Sequence, residues 1–203
     1  METWGGRRPG LKDVILANID ESIVTKQRLK SEVDNILKLC EMVIECLDKG
    51  GRVLLFGNGG SAADAQHIAT EFVGRYLVER NALPAIALST NTSSLTAIAN
   101  DYGYDHVFER QVQALCNRND LVIGISTSGT SKSVLLGLGA ARKRGARTVG
   151  LTGLSGGRMS EVADLVVRVP SDSTPRIQES HIMIGHIISQ VAELHTKDSS
   201  SRL

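Results

Sequence analysis

The chain has 203 residues, 41% of them hydrophobic, and a formal net charge of +1. That length suits one α/β domain with a full core, and the near-neutral balance gives no electrostatic footprint for nucleic acid. No run of 18 apolar residues is present to span a bilayer.

The opening METWGGRRPG is polar and Gly/Pro-rich and has no apolar signal-peptide core. Residues 1–10 are therefore expected as a flexible tail, and residues 198–203 as another. Helical spacing begins at residues 12–30. It is clearer over 31–51, where Val33, Ile36, Leu37, Cys40, Val43, Ile44 and Leu47 form one wide apolar stripe. Ser31 is placed to cap this helix and Gly50-Gly51 to stop it. Both stripes are wide for one sheet face, so residues 11–50 are expected to pack against neighbouring subunits. Cys40, Cys46 and Cys116 lack metal-ligand spacing, and an odd count without a secretion signal fits a reducing cytoplasm.

Strands and helices then alternate. Strands are expected at 52–56, 84–88, 120–126, 147–153 and 165–170, and helices at 61–77, 92–102, 106–116, 132–145 and 174–196. Thr174 is read as the cap of the last helix, with Pro175 in its first turn. This alternation predicts a three-layer α/β/α sandwich around a five-stranded parallel sheet. Without a repeat or linker, residues 11–197 read as a single domain.

Two junctions between a strand and the following helix are rich in small donors. Gly57-Asn58-Gly59-Gly60-Ser61 follows RVLLF, and Ser126-Thr127-Ser128-Gly129-Thr130-Ser131 follows DLVIGI. A helix N-terminus attracts phosphate through unpaired N–H groups, and five of the six residues in the second loop carry a hydroxyl. A phosphate monoester is the expected ligand. Gly57, Gly59 and Ala62 also fit a loose dinucleotide pattern, but the acidic residue needed at the end of the second strand is missing, since Glu79 precedes that strand. His67 and Glu71 stand at i and i+4, on one helix face. The closing helix adds Gln178, His181, His186 and His195. Imidazole and carboxylate together suit either zinc or acid/base work.

GNGGSAADAQH with Glu71 four residues on, TAIANDYGY, STSGTS and TPRIQESHIMIGHI together resemble the phosphoheptose (sedoheptulose-7-phosphate) isomerases of the sugar isomerase (SIS) domain superfamily, over about residues 30–195. The resemblance implies that the five-stranded sheet is flavodoxin-like, and it implies a cytoplasmic homotetramer with active sites between subunits. It implies zinc held by His67, Glu71, Gln178 and His186, and an acid/base pair of Glu71 and His186. Substrate contacts would come from Asn58, Gly59, Gly60, Ser61, Glu71, Asn100, Asp101, Ser126, Thr127, Ser128, Ser131 and Gln178. The implied reaction converts sedoheptulose 7-phosphate to D-glycero-D-manno-heptose 7-phosphate through an enediol, the first step toward ADP- or GDP-heptose for lipopolysaccharide or capsule. Two alternatives stay open at this point. One is a non-catalytic SIS protein that binds a sugar phosphate or the replication initiator protein; the other is an isomerase of a different phosphosugar. Eight helical residues rise about 12 Å, so Gln178 and His186 cannot lie side by side on one straight helix.

Overall fold

The computed structural model describes the backbone of residues 9–200 and the side chains through residue 196. Helix α1 (Leu11–Arg28) passes through a 3-10 turn at Leu29–Glu32 into α2 (Val33–Asp48). Ser31 does not cap α2. The chain stays near-helical through the turn, and Ser31 Oγ donates to Arg28 O at 2.9 Å. The alternating part follows as β1 (Val53–Gly57), α3 (Gly60–Val73), β2 (Ala85–Ala87), α4 (Thr92–Tyr102), α5 (Val107–Leu115), β3 (Leu121–Ile125), α6 (Lys132–Lys143), β4 (Arg147–Thr152), β5 (Leu165–Arg168) and α7 (Thr174–Ser200). Of the expected flexible tails, residues 1–8 and 201–203 lie outside the described residues. Helix α7 runs on through Ser200, past the expected start of the tail at 198. Thr174 is its first helical residue, and the chain enters it from Ser173, whose carbonyl accepts from Ile177 N at 2.9 Å.

The five strands form one parallel sheet in the order β2-β1-β3-β4-β5, the flavodoxin-like order. Every residue of the central β1 and β3 is buried, because helices cover both faces of the sheet. That is why VLLFG and LVIGI read as unbroken apolar runs. On one face Leu39, Val43, Ile68, Phe72 and Ile184 of α2, α3 and α7 pack on Val53, Leu55 and Ile123. On the other, Phe108, Val112 and Leu138 of α5 and α6 pack on Leu54, Phe56 and Val122. The strand order changes direction between β1 and β3, and open α/β sheets bind ligands outside the carboxyl ends at such a point. GNGGS leaves β1 and STSGTS leaves β3, so both loops open there.

The wide stripes of the N-terminal arm divide between core and solvent. Ile36, Leu39, Cys40 and Val43 of α2 are buried, while Val33 and Leu37 stay exposed. On α1, Leu11, Ile15, Ile19 and Ile23 follow one another at four-residue spacing, and each is between 48% and 84% exposed. Among the described residues, no element covers this apolar helix face. All three cysteines are free and buried. Among the described residues, no helix is long and apolar enough to cross a membrane.

Candidate active site

Both loops meet their helices without a side-chain cap. At α3 the backbone closes on itself, since Ser61 N and Ala62 N donate to Asn58 O and Gly59 O at 3.0 Å each, whereas the first N–H groups of α6 remain open at the sheet's carboxyl end. Gly59 enters α3 at φ +55°, a backbone that side chains rarely adopt. Gly60 makes a close approach: a Cβ there would lie 2.2 Å from Nε2 of Gln178, so a side chain would displace that amide. The loops are joined by Asn58. Its amide donates to Ser131 Oγ at 2.8 Å and Ser133 Oγ at 3.0 Å, and its carbonyl accepts from Tyr104 Oη at 2.8 Å. Within the second loop, Ser126, Ser128 and Thr130 run as a hydroxyl chain at 3.4 and 2.9 Å. Thr127 is half-buried in the same turn, and Ser61 is buried in the first turn of α3. Asn100 and Asp101 lie on the exposed last turn of α4, where the Asn100 amide donates to Asp101 at 2.8 Å. The segment that follows them reaches the loops, through Tyr104 on Asn58 and through Asp105 on Lys132 at 2.6 Å.

Helices α3 and α7 run side by side in parallel. Gln178 meets Gly60 at one end of the pair, and Gly185 packs against Ile68 two turns later. At that second level three donors converge: His67 Nε2 stands 3.1 Å from His186 Nε2 and 3.2 Å from Glu71 Oε1. One ligand atom from each of the three lies within 4.8 Å of the others. Zinc–nitrogen bonds of about 2.0–2.1 Å in a tetrahedron place ligand atoms roughly 3.3 Å apart. Two imidazoles and a carboxylate at 3.1 and 3.2 Å fit such an ion in both spacing and donor type. Gln178, expected as a fourth ligand, lies eight residues earlier on α7 with its amide against Gly60. The helix rise that separates it from His186 is real.

The remaining histidines of α7 have other surroundings. His181 is fully buried, with Nε2 3.3 Å from Thr152 O, and burial pushes its pKa down to about 4, so it is neutral at pH 7. His195 Nε2 lies 2.7 Å from Asp48. Sequence reasoning missed four groups around the donors. Asp64, one turn before His67 on the same face, has its Oδ2 buried without a hydrogen-bond partner; burial raises its pKa to about 6 against the pull of His67. The i, i+3 spacing to His67 was the available signal. Tyr76 stacks at a tilt against His186, with ring centroids 5.6 Å apart. Arg80 and Glu193 form a buried ion pair behind it. Burial alone would raise the pKa of Glu193, but backbone N–H groups from Leu77, Tyr76 and Val78 together with Arg80 outweigh it and hold the carboxyl below its usual range.

A family model described as "SIS domain" matches residues 19–153. The chain is 53% identical to the phosphoheptose isomerase of Roseiflexus sp. (strain RS-1) over 180 residues, 88% of this chain and 91% of the relative. The solved phosphoheptose isomerase of Francisella tularensis superimposes with a TM-score of 0.88 at 34% identity, covering 92% of this chain and 100% of that one. The enzyme of Neisseria gonorrhoeae gives 0.86 at 41% identity, covering 91% and 99%.

Proposed function

Because this chain belongs to the SIS domain family and, within it, to the phosphoheptose isomerases, we propose that it interconverts sedoheptulose 7-phosphate and D-glycero-D-manno-heptose 7-phosphate. The observation that carries this reading is the convergence of His67, Glu71 and His186 two turns along α3 from the Gly57–Ser61 loop.

Aldose–ketose isomerisation moves a proton between adjacent carbons through an enediol, which requires a base at carbon and a second group at oxygen. Glu71 takes the proton from the carbon and returns it to the neighbouring one. His186 exchanges protons with the two oxygens. The hydroxyls of Ser126, Thr127, Ser128 and Ser131 and the open N–H groups of α6 hold the phosphate, and that remote binding keeps the reacting carbons in place. Asn58, Gly59, Gly60, Ser61 and Gln178 line the same end. Asn100 and Asp101 reach the polyol from α4. Zinc is the metal we assign to His67, Glu71 and His186, where it would polarise the substrate carbonyl. Three protein ligands with one open position is the usual pattern of catalytic zinc.

The expected result in an assay of ketose phosphates with five, six and seven carbons, with and without zinc, is turnover of the seven-carbon sugar. The shorter ones should show kcat/KM lower by about 10²-fold or more. Equal turnover of all three, or none of the seven-carbon sugar, overturns the substrate assignment.

The active protein is a homotetramer in this reading, with residues 11–50 as its main contact. The support is the uncovered face of Leu11, Ile15, Ile19 and Ile23. Light scattering should return four chains for the wild type and a smaller species for the I15E/I19E variant; an unchanged mass in the variant would reject α1 as the contact. The three free thiols support a cytoplasmic setting.

A further inference from the structure

The segment after α3 is irregular, yet it is anchored by charged groups for which the isomerisation has no direct use. Glu193 is 2% exposed. Its Oε2 accepts from Tyr76 N at 3.0 Å, and its Oε1 accepts from Leu77 N and Val78 N at 2.9 Å each. Three successive backbone N–H groups thus close on one carboxylate, as in an anion nest. Arg80 stands behind them, with Nε 3.5 Å from Glu193 Oε2. Its Nη1 donates to Phe72 O at 2.8 Å and Asn81 O at 2.9 Å, and its Nη2 donates to Glu71 O at 2.6 Å. The ion pair therefore ties together the last turn of α3, the loop after it, and α7.

Desolvating two charges costs several kcal/mol, and an apolar pair of similar volume would hold these elements at least as firmly. What the ion pair supplies beyond cohesion is direction. It fixes the carbonyl of Glu71 itself. It also fixes the backbone of Tyr76, whose ring lies against His186 with an interplanar angle of 32°. His186 meets His67 at 5.2 Å between centroids, so its imidazole is flanked by two rings. Glu193 lies seven residues beyond His186, two turns along the same face of α7.

We propose that the Glu193–Arg80 pair is a positioning device for the His67–Glu71–His186 cluster, acting on His186 through the ring of Tyr76 and on Glu71 through its backbone carbonyl. This rests on the reading of that cluster as the isomerase centre. Orientation at this level matters, since groups that orient metal ligands typically cost 10–100-fold in affinity or activity when removed.

Three variants test it: Y76F, Y76L and E193Q. Thermal melting and light scattering establish that each folds and assembles. Y76L is expected to lower kcat for sedoheptulose 7-phosphate by about 10–100-fold with KM within about threefold, and to weaken zinc by about tenfold in competition with a chromophoric chelator. Y76F keeps the ring and should rescue both. E193Q should follow Y76L. Wild-type kcat and zinc affinity in Y76L overturn the proposal. So does a Y76F variant as damaged as Y76L, which would assign the role to the hydroxyl. If E193Q fails to fold, the two Tyr76 variants still decide. The outcomes also separate the two readings. An active E71Q variant removes the isomerase centre, whereas an inactive E71Q beside a normal Y76L leaves the centre standing and removes only the positioning device.

Discussion

Replacing Glu71 with glutamine is expected to leave the fold intact and to reduce kcat/KM for sedoheptulose 7-phosphate by at least about 10³-fold. Glutamine keeps the size and shape of the side chain and an oxygen that can still face His67 Nε2, now 3.2 Å from the carboxylate. It loses the basicity. A carboxamide does not accept a proton from carbon near neutral pH, and a positioned base contributes about 10²–10⁴ in rate. The variant also loses the only negative charge among the three converging donors, which weakens any cation held there. The side chain lies in the last turn of α3 and its replacement keeps the same volume, so the fold should survive, with Tm lowered only as far as the cation is lost. Near-normal turnover by a folded E71Q protein would sink the assignment of Glu71 as the base.

Stripping the metal is expected to lower kcat by about 10²-fold or more, since a Lewis acid contributes several kcal/mol at a polarised carbonyl. It should also lower Tm by about 5–10 °C. An ion held at 100 times its Kd stabilises the native state by about 2.7 kcal/mol, and 1 kcal/mol shifts a chain of this size by about 2–4 °C. Both losses should reverse with one equivalent of zinc per site. The contact between His67 Nε2 and His186 Nε2 at 3.1 Å gives the reason. Without a cation those two nitrogens are satisfied only when one carries a proton and the other does not. Zinc content far below one per site, with activity and Tm indifferent to a chelator, would reject a required metal.

The layered architecture was legible because strands buried on both faces must be apolar throughout, as VLLFG and LVIGI are. No single run states which strand it pairs with; the expected flavodoxin-like class supplied the neighbours, and the order β2-β1-β3-β4-β5 agrees with it. His67 and Glu71 were legible as a pair from their four-residue spacing. His186 lies 119 residues away from His67, and only the family resemblance joined it to them. The expected continuation of α3 through residue 77 failed for a tertiary reason. FVGRYL is compatible with a helix, but the N–H groups of Tyr76, Leu77 and Val78 are taken by Glu193, and Arg80 binds the final carbonyls. Gly74 was the one local sign of the stop. Asn58 was legible as a loop residue, though its partners Ser131, Ser133 and Tyr104 come from distant parts of the chain.

The parallel pairing of α3 and α7 has a metric consequence. Gly60 faces Gln178, His67 faces His186, and Ile68 faces Gly185, so the offset between the two helices hardly changes along their contact. From Gly60 to His67 the backbone climbs about 10 Å. The two helices therefore carry two fixed marks, the Gly60–Gln178 contact at one and the three converging donors at the other. In the proposed reaction a substrate held near the first mark would present its reacting carbons at the second, so the rise of the helix would contribute to selecting the number of carbons.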